Sequence, residues 1–316
     1  MPRESGTLNP NQHVVLQDLE NIVRRVIAGY FNHTGDGSRG EPLSPDEALF
    51  HSREGLALRQ EIVWNGHKLW QRQYVDGNGG NVSCRIGSDR VLCTPSMISK
   101  GDITINDLCM VDLDARQVCG RFPRTSELLL HLQIYKANPE ARAVVHCHPP
   151  HATAYAIAGI VPPEDVVPEQ EVFVGPVAIA PYETPGTQVF AETVLPFVKY
   201  HNSILLANHG VVCWADTVTH AEWLVEVLDT YCRTLLLAYQ LRTPIQRIAP
   251  QKMADLLKFK QRLGLPDPRL KEQEHPSGFE FPKPFASQFL PEPPGQLDML
   301  VRSIAEAVAA HLGERK

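Results

Sequence analysis

The sequence predicts an α/β layer fold, because short apolar runs of β type alternate with helical ones through the middle of a 316-residue chain. Amphipathic segments frame that middle, each set off by a Gly- or Pro-rich stretch that cannot pack as regular structure. At the front, Leu16, Leu19, Ile22, Val23, Val26, Ile27 and Tyr30 recur at helical spacing, and NHTGDGSRGEPLSP then reads as a loop. The expected organisation is an amphipathic helix and linker over 1–54, a main domain over 55–270, a Pro-rich linker over 271–295 and a terminal amphipathic helix over 296–316. Within the domain a helix is expected over 57–73, followed by strands at Val91–Thr94 and Leu108–Asp112. A helix over 126–137, a strand at Ala143–His148 and a helix over 151–158 come next. The run Val172–Ala180 reads as a strand and 187–200 as a helix. Strands at Ile204–Ala207 and Val211–Trp214, then helices over 217–240 and 251–263, complete the domain without an internal repeat.

Composition narrows the function classes. The 30 Lys+Arg residues against 36 Asp+Glu leave a net charge of −6 with no dense basic run, which argues against a nucleic-acid partner. No 18 apolar residues run together and no apolar stretch follows the first charges, so neither a membrane partner nor a signal peptide is expected and the reading is cytoplasmic. Seven scattered cysteines without a C-x-x-C pair are expected as reduced, mostly buried thiols.

The chemistry-bearing residues cluster. In Ala-Val-Val-His146-Cys-His148 an apolar strand ends in two histidines two positions apart, which alternation places on one face, within reach of one metal ion or satisfied by hydrogen bonds. A second apolar strand ends in Asn208-His209-Gly210, and two strands delivering imidazoles at their carboxyl ends suit a site at the end of an α/β sheet. An acid stands nearby in Arg124-Thr125-Ser126-Glu127: Thr125 or Ser126 suits an N-cap, and Glu127 falls in the first helical turn, either set against the helix dipole or available for acid–base work. That helix start, with two hydroxyls, also suits an anion such as phosphate. The Gly-rich Asp76–Ser83 stretch running into a strand, and Thr94-Pro95-Ser96-Met97 after the next, are further anion-cradle candidates; neither fits a nucleotide P-loop or a dinucleotide fingerprint.

Four motifs in order resemble the class II aldolase/adducin family: G-N-V-S (80–83), T-P-S-M-x-S-K-G-D (94–102), T-S-E (125–127) with H-C-H (146–148), and N-H-G (208–210). The resemblance spans about 57–265. It implies a three-layer α/β/α sandwich of the class II aldolase type, with the helical extensions outside it, and a homotetramer with sites at subunit contacts. It implies Zn2+ held by His146, His148 and His209, with Mn2+ tolerated by the same donors. Glu127 matches the catalytic acid/base, and Asn81, Ser96, Met97, Thr125 and Ser126 match substrate- and phosphate-binding positions. Met97 stands where the phosphate-binding aldolases carry glycine. The family's proton-donating tyrosine has no counterpart near Val167, so Glu169 and Glu171 are the candidate replacements.

Such a site would cleave a ketose 1-phosphate of the L-fuculose or L-rhamnulose type into dihydroxyacetone phosphate and lactaldehyde. The alternatives are a family decarboxylase of a hydroxylated or keto acid, a pentulose-phosphate 4-epimerase, and a non-catalytic adducin-like module. At the tail, Leu297, Leu300, Val301, Ile304, Val308 and Leu312 form one apolar stripe on a tethered helix. This resembles the encapsulation peptides that load enzymes into bacterial microcompartments, with shell proteins as partners and the lumen as location. Docking on its own tetramer is the other reading, and the front segment 14–31 is a second candidate for either role.

Overall fold

The structure, a computed structural model, describes residues 43–265 together with Asp267 and Arg269. The terminal segments expected at 14–31 and 296–312, and the Pro-rich linker between 271 and 295, lie outside the described residues. The described chain opens with α1 (Pro45–Phe50) and α2 (Arg53–Gln71), whose N-caps Ser44 and Ser52 each accept a backbone N–H of the first turn. Strands β1 (Asn81–Ile86), β2 (Arg90–Cys93), β3 (Cys109–Asp112) and β4 (Gln117–Cys119) follow, then α3 (Leu128–Ala137), β5 (Ala143–Cys147) and α4 (Pro150–Ala158). A π-helical turn (Gln170–Val174) leads to β6 (Ala178–Ala180), α5 (Gln188–Glu192), α6 (Leu195–Val198), β7 (Ser203–Leu206), β8 (Gly210–Ala215), α7 (Val218–Gln240) and α8 (Pro250–Arg262).

The strands form one eight-stranded sheet in the order β4-β3-β2-β1-β5-β8-β7-β6, antiparallel throughout except for the β6–β7 pair. Alternation along each strand feeds two separate cores. Val82, Cys84, Ile86, Val145, Val211 and Cys213 pack with apolar residues of α1, α2, α4 and α7 on one face. Val91, Cys109, Val144, Ile204, Val212 and Trp214 pack with α3, α5 and α6 on the other. This is the three-layer α/β/α arrangement expected.

Two local expectations are corrected. The run Val172–Ala180 is not one strand, because Gly175 at φ 75 and ψ −151, followed by Pro176, separates the π-helical turn from β6. The helix over 187–200 divides in two, with Pro196 at the start of α6, where its missing N–H costs nothing. Helix α1 adds Phe50 to the first of the two cores. The edge strand β4 carries no apolar alternation, and its three residues are half-buried. All seven cysteines are free, and six of them are buried. No helix among the described residues is long and apolar enough to cross a membrane.

Gly80, which leads into β1, is held at φ +65, and a Cβ there would sit 2.5 Å from Val75 Cγ1 and 2.8 Å from the His146 carbonyl oxygen. Only glycine meets both demands. Gly80→Ala is expected to destabilise the fold by about 1–3 kcal/mol, read as a lower urea midpoint with an unchanged m-value. An unaltered midpoint would show that the β1 entry relaxes without strain.

Candidate metal centre

His146 is the last residue of β5 but one, fully buried on the α3 face of the sheet. Its Nδ1 lies 2.8 Å from the Val211 carbonyl of β8, and since a carbonyl only accepts, the ring proton belongs on Nδ1. The Nε2 lone pair is thereby turned outward. His148 lies just beyond the strand, its backbone N–H donating to the Tyr74 carbonyl, and its Nε2 stands 3.2 Å from His146 Nε2. His209 comes from the tight β7–β8 turn, in which Asn208 adopts φ 57. Gly210 must follow it, because a Cβ there would lie 2.5 Å from the Cys147 oxygen and 2.7 Å from His148 Cδ2.

Glu127 completes the cluster. Its Oε2 lies 3.2 Å from His146 Nε2 and its Oε1 lies 3.5 Å from His209 Nε2, while Asn81 Nδ2 donates to Oε2 at 2.8 Å. The first-turn placement expected for this residue is corrected: Glu127 itself is the N-cap of α3, makes no side-chain capping bond, and turns its carboxylate to the imidazoles. Neither Thr125 nor Ser126 caps the helix. Asn81 reaches Glu127 because it pairs with His146 across the β1–β5 ladder.

Electrostatics separates the roles. Burial pushes the His148 imidazolium down to about 3 and that of His209 to about 4, with repulsion from His146 adding to each, so both rings are neutral donors near pH 7. Burial acts against ionisation of Glu127, yet the facing His146 and His209 rings and the Asn81 amide hold its carboxyl well below the usual range. Ligand atoms of His146, His148 and His209 lie within 4.8 Å of one another. Two imidazole nitrogens facing each other at 3.2 Å, with the His146 proton committed elsewhere, fit a shared cation. His209 Nδ1 is buried without a hydrogen-bond partner, so the Glu127 side of the ring is its one polar contact among the described residues.

The anion-cradle candidates converge beside this cluster. Ser96 N–H donates to the Pro123 carbonyl, Ser96 Oγ donates to the Arg124 carbonyl, and Thr125 N–H donates to the Thr94 carbonyl, tying the two segments together. Thr125 is buried, Ser126 is exposed, and Met97 sits at φ 61 with its side chain 81% exposed, a conformation that glycine would take without strain. A residue unassigned in the sequence reading joins the cradle: Lys100 is buried and its Nζ donates to the carbonyls of Asn78 and Ile98. Burial lowers its ammonium to about 8, and its field is felt at Glu127 and His148. No carboxylate pairs with it among the described residues. A cavity of about 360 Å³ opens on the His148 side, lined by Tyr74, Asp76, Thr153 and Ile157 among others.

The two candidate proton donors stand elsewhere. Glu171, in the π-helical turn, is buried and accepts from Arg269 Nη1 at 2.6 Å and from the Asp165 N–H. It is therefore no solvated loop charge. Glu169 is exposed just before that turn.

His131 on α3 is fully buried as well, and burial pushes it down to about 3. The folded protein thus leaves His131, His148 and His209 unprotonated at a pH where an unfolded chain, with histidines near about 6.5, takes up protons. Stability that is full above that value is lost as pH falls through it toward 4. The thermal midpoint of chelator-treated protein is expected to drop from pH 7.5 to 5, less steeply in His131→Asn. Equal slopes would place the proton uptake elsewhere.

The sequence profile described as Class II Aldolase and Adducin N-terminal domain matches residues 60–236. A 3-oxo-tetronate 4-phosphate decarboxylase of Cupriavidus necator is 32% identical over 219 residues, covering 68% of this chain and 93% of that protein. An L-fuculose phosphate aldolase of Methanococcus maripaludis is 37% identical over 161 residues, covering 51% and 86%. The structure of YgbL from Klebsiella pneumoniae matches with 27% identity and a TM-score of 0.60, over 65% of this chain and 99% of that one. With the profile matched over more than half its length and the histidines and Glu127 brought together at one sheet end, the chain belongs to the class II aldolase and adducin N-terminal domain family.

Proposed function

We propose that the chain is a metal-dependent lyase that breaks the carbon–carbon bond next to the carbonyl-bearing half of a phosphorylated sugar or sugar acid. The observation that carries this reading is the Glu127 carboxylate lying between the Nε2 atoms of His146 and His209, beside His148. Zn2+, or Mn2+ on the same donors, would be held by the three histidines and supply Lewis acidity at the substrate carbonyl. Glu127 moves the proton at the carbon left behind, and Asn81 fixes the carboxylate for that task. Lys100, Ser96, Thr125, Ser126 and the main chain at Met97 face the phosphate, where an unpaired buried ammonium favours an anion.

Two leaving groups suit this site. An L-fuculose or L-rhamnulose 1-phosphate loses lactaldehyde, and a 3-oxo-tetronate 4-phosphate loses carbon dioxide. Both leave the same enediolate, which becomes dihydroxyacetone phosphate on protonation. Aldol cleavage is the first reading, by likeness to the fuculose phosphate aldolases. Decarboxylation is favoured by a separate observation. A retro-aldol step must take the proton from the hydroxyl of the departing carbon, whereas a carboxylate leaves without one, and Glu171 is engaged by Arg269. The assembly fitting the family is a homotetramer.

Incubating the zinc-loaded protein with L-fuculose 1-phosphate, L-rhamnulose 1-phosphate and 3-oxo-tetronate 4-phosphate should release dihydroxyacetone phosphate from one class, with lactaldehyde or carbon dioxide identifying which. Silence from all three would reject the lyase. Glu127→Gln is expected to retain metal while turnover falls at least about 100-fold, and His146→Ala to lose the metal. The terminal stripe over 296–312 is proposed to direct the enzyme to microcompartment shell proteins, a setting that would retain a volatile aldehyde. Deleting 275–316 should then leave assembly and catalysis intact while abolishing co-purification with shell proteins; loss of activity would assign the helix to the catalytic body instead.

A further inference from the structure

Strand β1 offers its odd positions to the α3 layer, since Val82, Cys84 and Ile86 are committed to the opposite core. Those odd positions are polar: Asn81, Ser83 and Arg85. Facing them, Glu127, His131 and Tyr135 recur every fourth residue along the start and body of α3. Two strand residues advance about 6.6–6.8 Å and four helical residues about 6 Å, so the two series stay in step over three rungs. Each rung is made. Asn81 Nδ2 donates to Glu127 Oε2 at 2.8 Å. The Ser83 hydroxyl bridges His131 Nδ1 at 2.7 Å and Tyr135 Oη at 2.8 Å. Arg85 donates to the Tyr135 carbonyl and lays its guanidinium 4.9 Å from the centre of that ring.

Apolar packing alone does not fix a helix along its own axis, because an oily interface tolerates sliding that a hydrogen bond does not. Leu128, Leu130, Leu132 and Ile134 bury α3 without specifying where its first residue stops. The polar rungs do specify it. Ser83 and His131 lie one strand pleat and one helical turn from the carboxylate, and both are fully buried, so water does not compete for their bond.

We infer that Ser83, His131 and Tyr135 are positioning residues, whose ladder sets the height and aim of the Glu127 carboxylate at the histidine cluster. They touch neither substrate nor metal. The inference rests on the reading of Glu127 as the group that moves the substrate proton, and the experiment separates the two.

The probe is dihydroxyacetone phosphate in deuterium oxide with the zinc-loaded full chain. Glu127 takes a proton from the hydroxymethyl carbon, exchanges it with solvent and returns deuterium, so loss of that proton signal by NMR reports the carboxylate under either leaving group. Ser83→Ala should slow this exchange about tenfold, the equivalent of one buried hydrogen bond. Bound zinc should be unchanged and the pH profile of the exchange shifted, with Ser83→Thr recovering most of the rate. Tyr135→Phe should show a smaller slowing of the same kind. A merely structural role would lower the melting temperature and leave the rate and pH profile of the folded enzyme alone. Exchange by Ser83→Ala at the parent rate would overturn the ladder. If the parent itself exchanges no deuterium, the lyase reading fails, and amide hydrogen exchange then decides the ladder. Amides 128–131 must lose protection selectively in Ser83→Ala, and unchanged protection would overturn the proposal.

Discussion

Asn81 and His146 face each other across the β1–β5 ladder, and the geometry of the whole centre follows from that register. A slip of one residue would carry both to the opposite face and bring Val82 and Val145 to the α3 side. The apolar residues prevent it. Val82, Cys84, Val145, Val211 and Cys213 are all but fully buried in the α7 layer, and burying each large one stabilises by about 1.5–3 kcal/mol. Burying a polar group costs about 1–3 kcal/mol where it lacks a partner, and Ser83, His146 and the Asn81 amide nitrogen have partners, leaving Asn81 Oδ1 as the exception among these three residues. Apolar burial therefore decides the register, and the polar residues occupy the face it leaves them.

The same burial sets the electrical character of the centre. Removing His148 and His209 from water keeps them neutral, which is the form that donates a lone pair, and His148 Nε2 faces His146 Nε2 at 3.2 Å. Such an arrangement is costly unless a cation takes it up. Glu127 lies across the same nitrogens as an ionised group, so the cluster presents neutral donors and one negative charge. Lys100 sits near it as a buried ammonium held by two carbonyls. A dipolar substrate, with an anionic end toward the lysine and an electron-rich carbonyl toward the histidines, matches this division.

Much of this was legible in the sequence, for identifiable reasons. The H-x-H spacing on an apolar run is a strand signal and a ligand signal at once, because a period of two puts both rings on one face. Asn208-His209-Gly210 was legible for the same reason, with a glycine where a backbone must approach closely. The first-turn placement of Glu127 failed because local capping chemistry competes with a tertiary pull: the histidine cluster and Asn81 outbid the helix dipole for its carboxylate. The Val172–Ala180 run misled because its valines are buried against helices, where β-branched residues serve a core without forming a strand. The ladder from Ser83 to His131 and Tyr135 had no local signal, since each partner looks ordinary until β1 and α3 are placed side by side.

The residues that the fold gathers at the sheet are, on the proposed reading, those that both leaving groups need. Removing a carboxylate or an aldehyde from the same carbon leaves the same enediolate, so on the proposed reading the histidines, Glu127, Asn81 and the proposed phosphate cradle would do equal service in either reaction. The difference is one proton, on the hydroxyl of the departing carbon. On the proposed reading the candidate segment for taking it is the π-helical turn, whose carboxylate, Glu171, is held by Arg269. Arg269 is clamped in turn by Asp267, which Lys260 of α8 also binds at 2.8 Å. The chain beyond α8 thus holds that turn through a network of ion pairs, while the histidine cluster stays with the sheet.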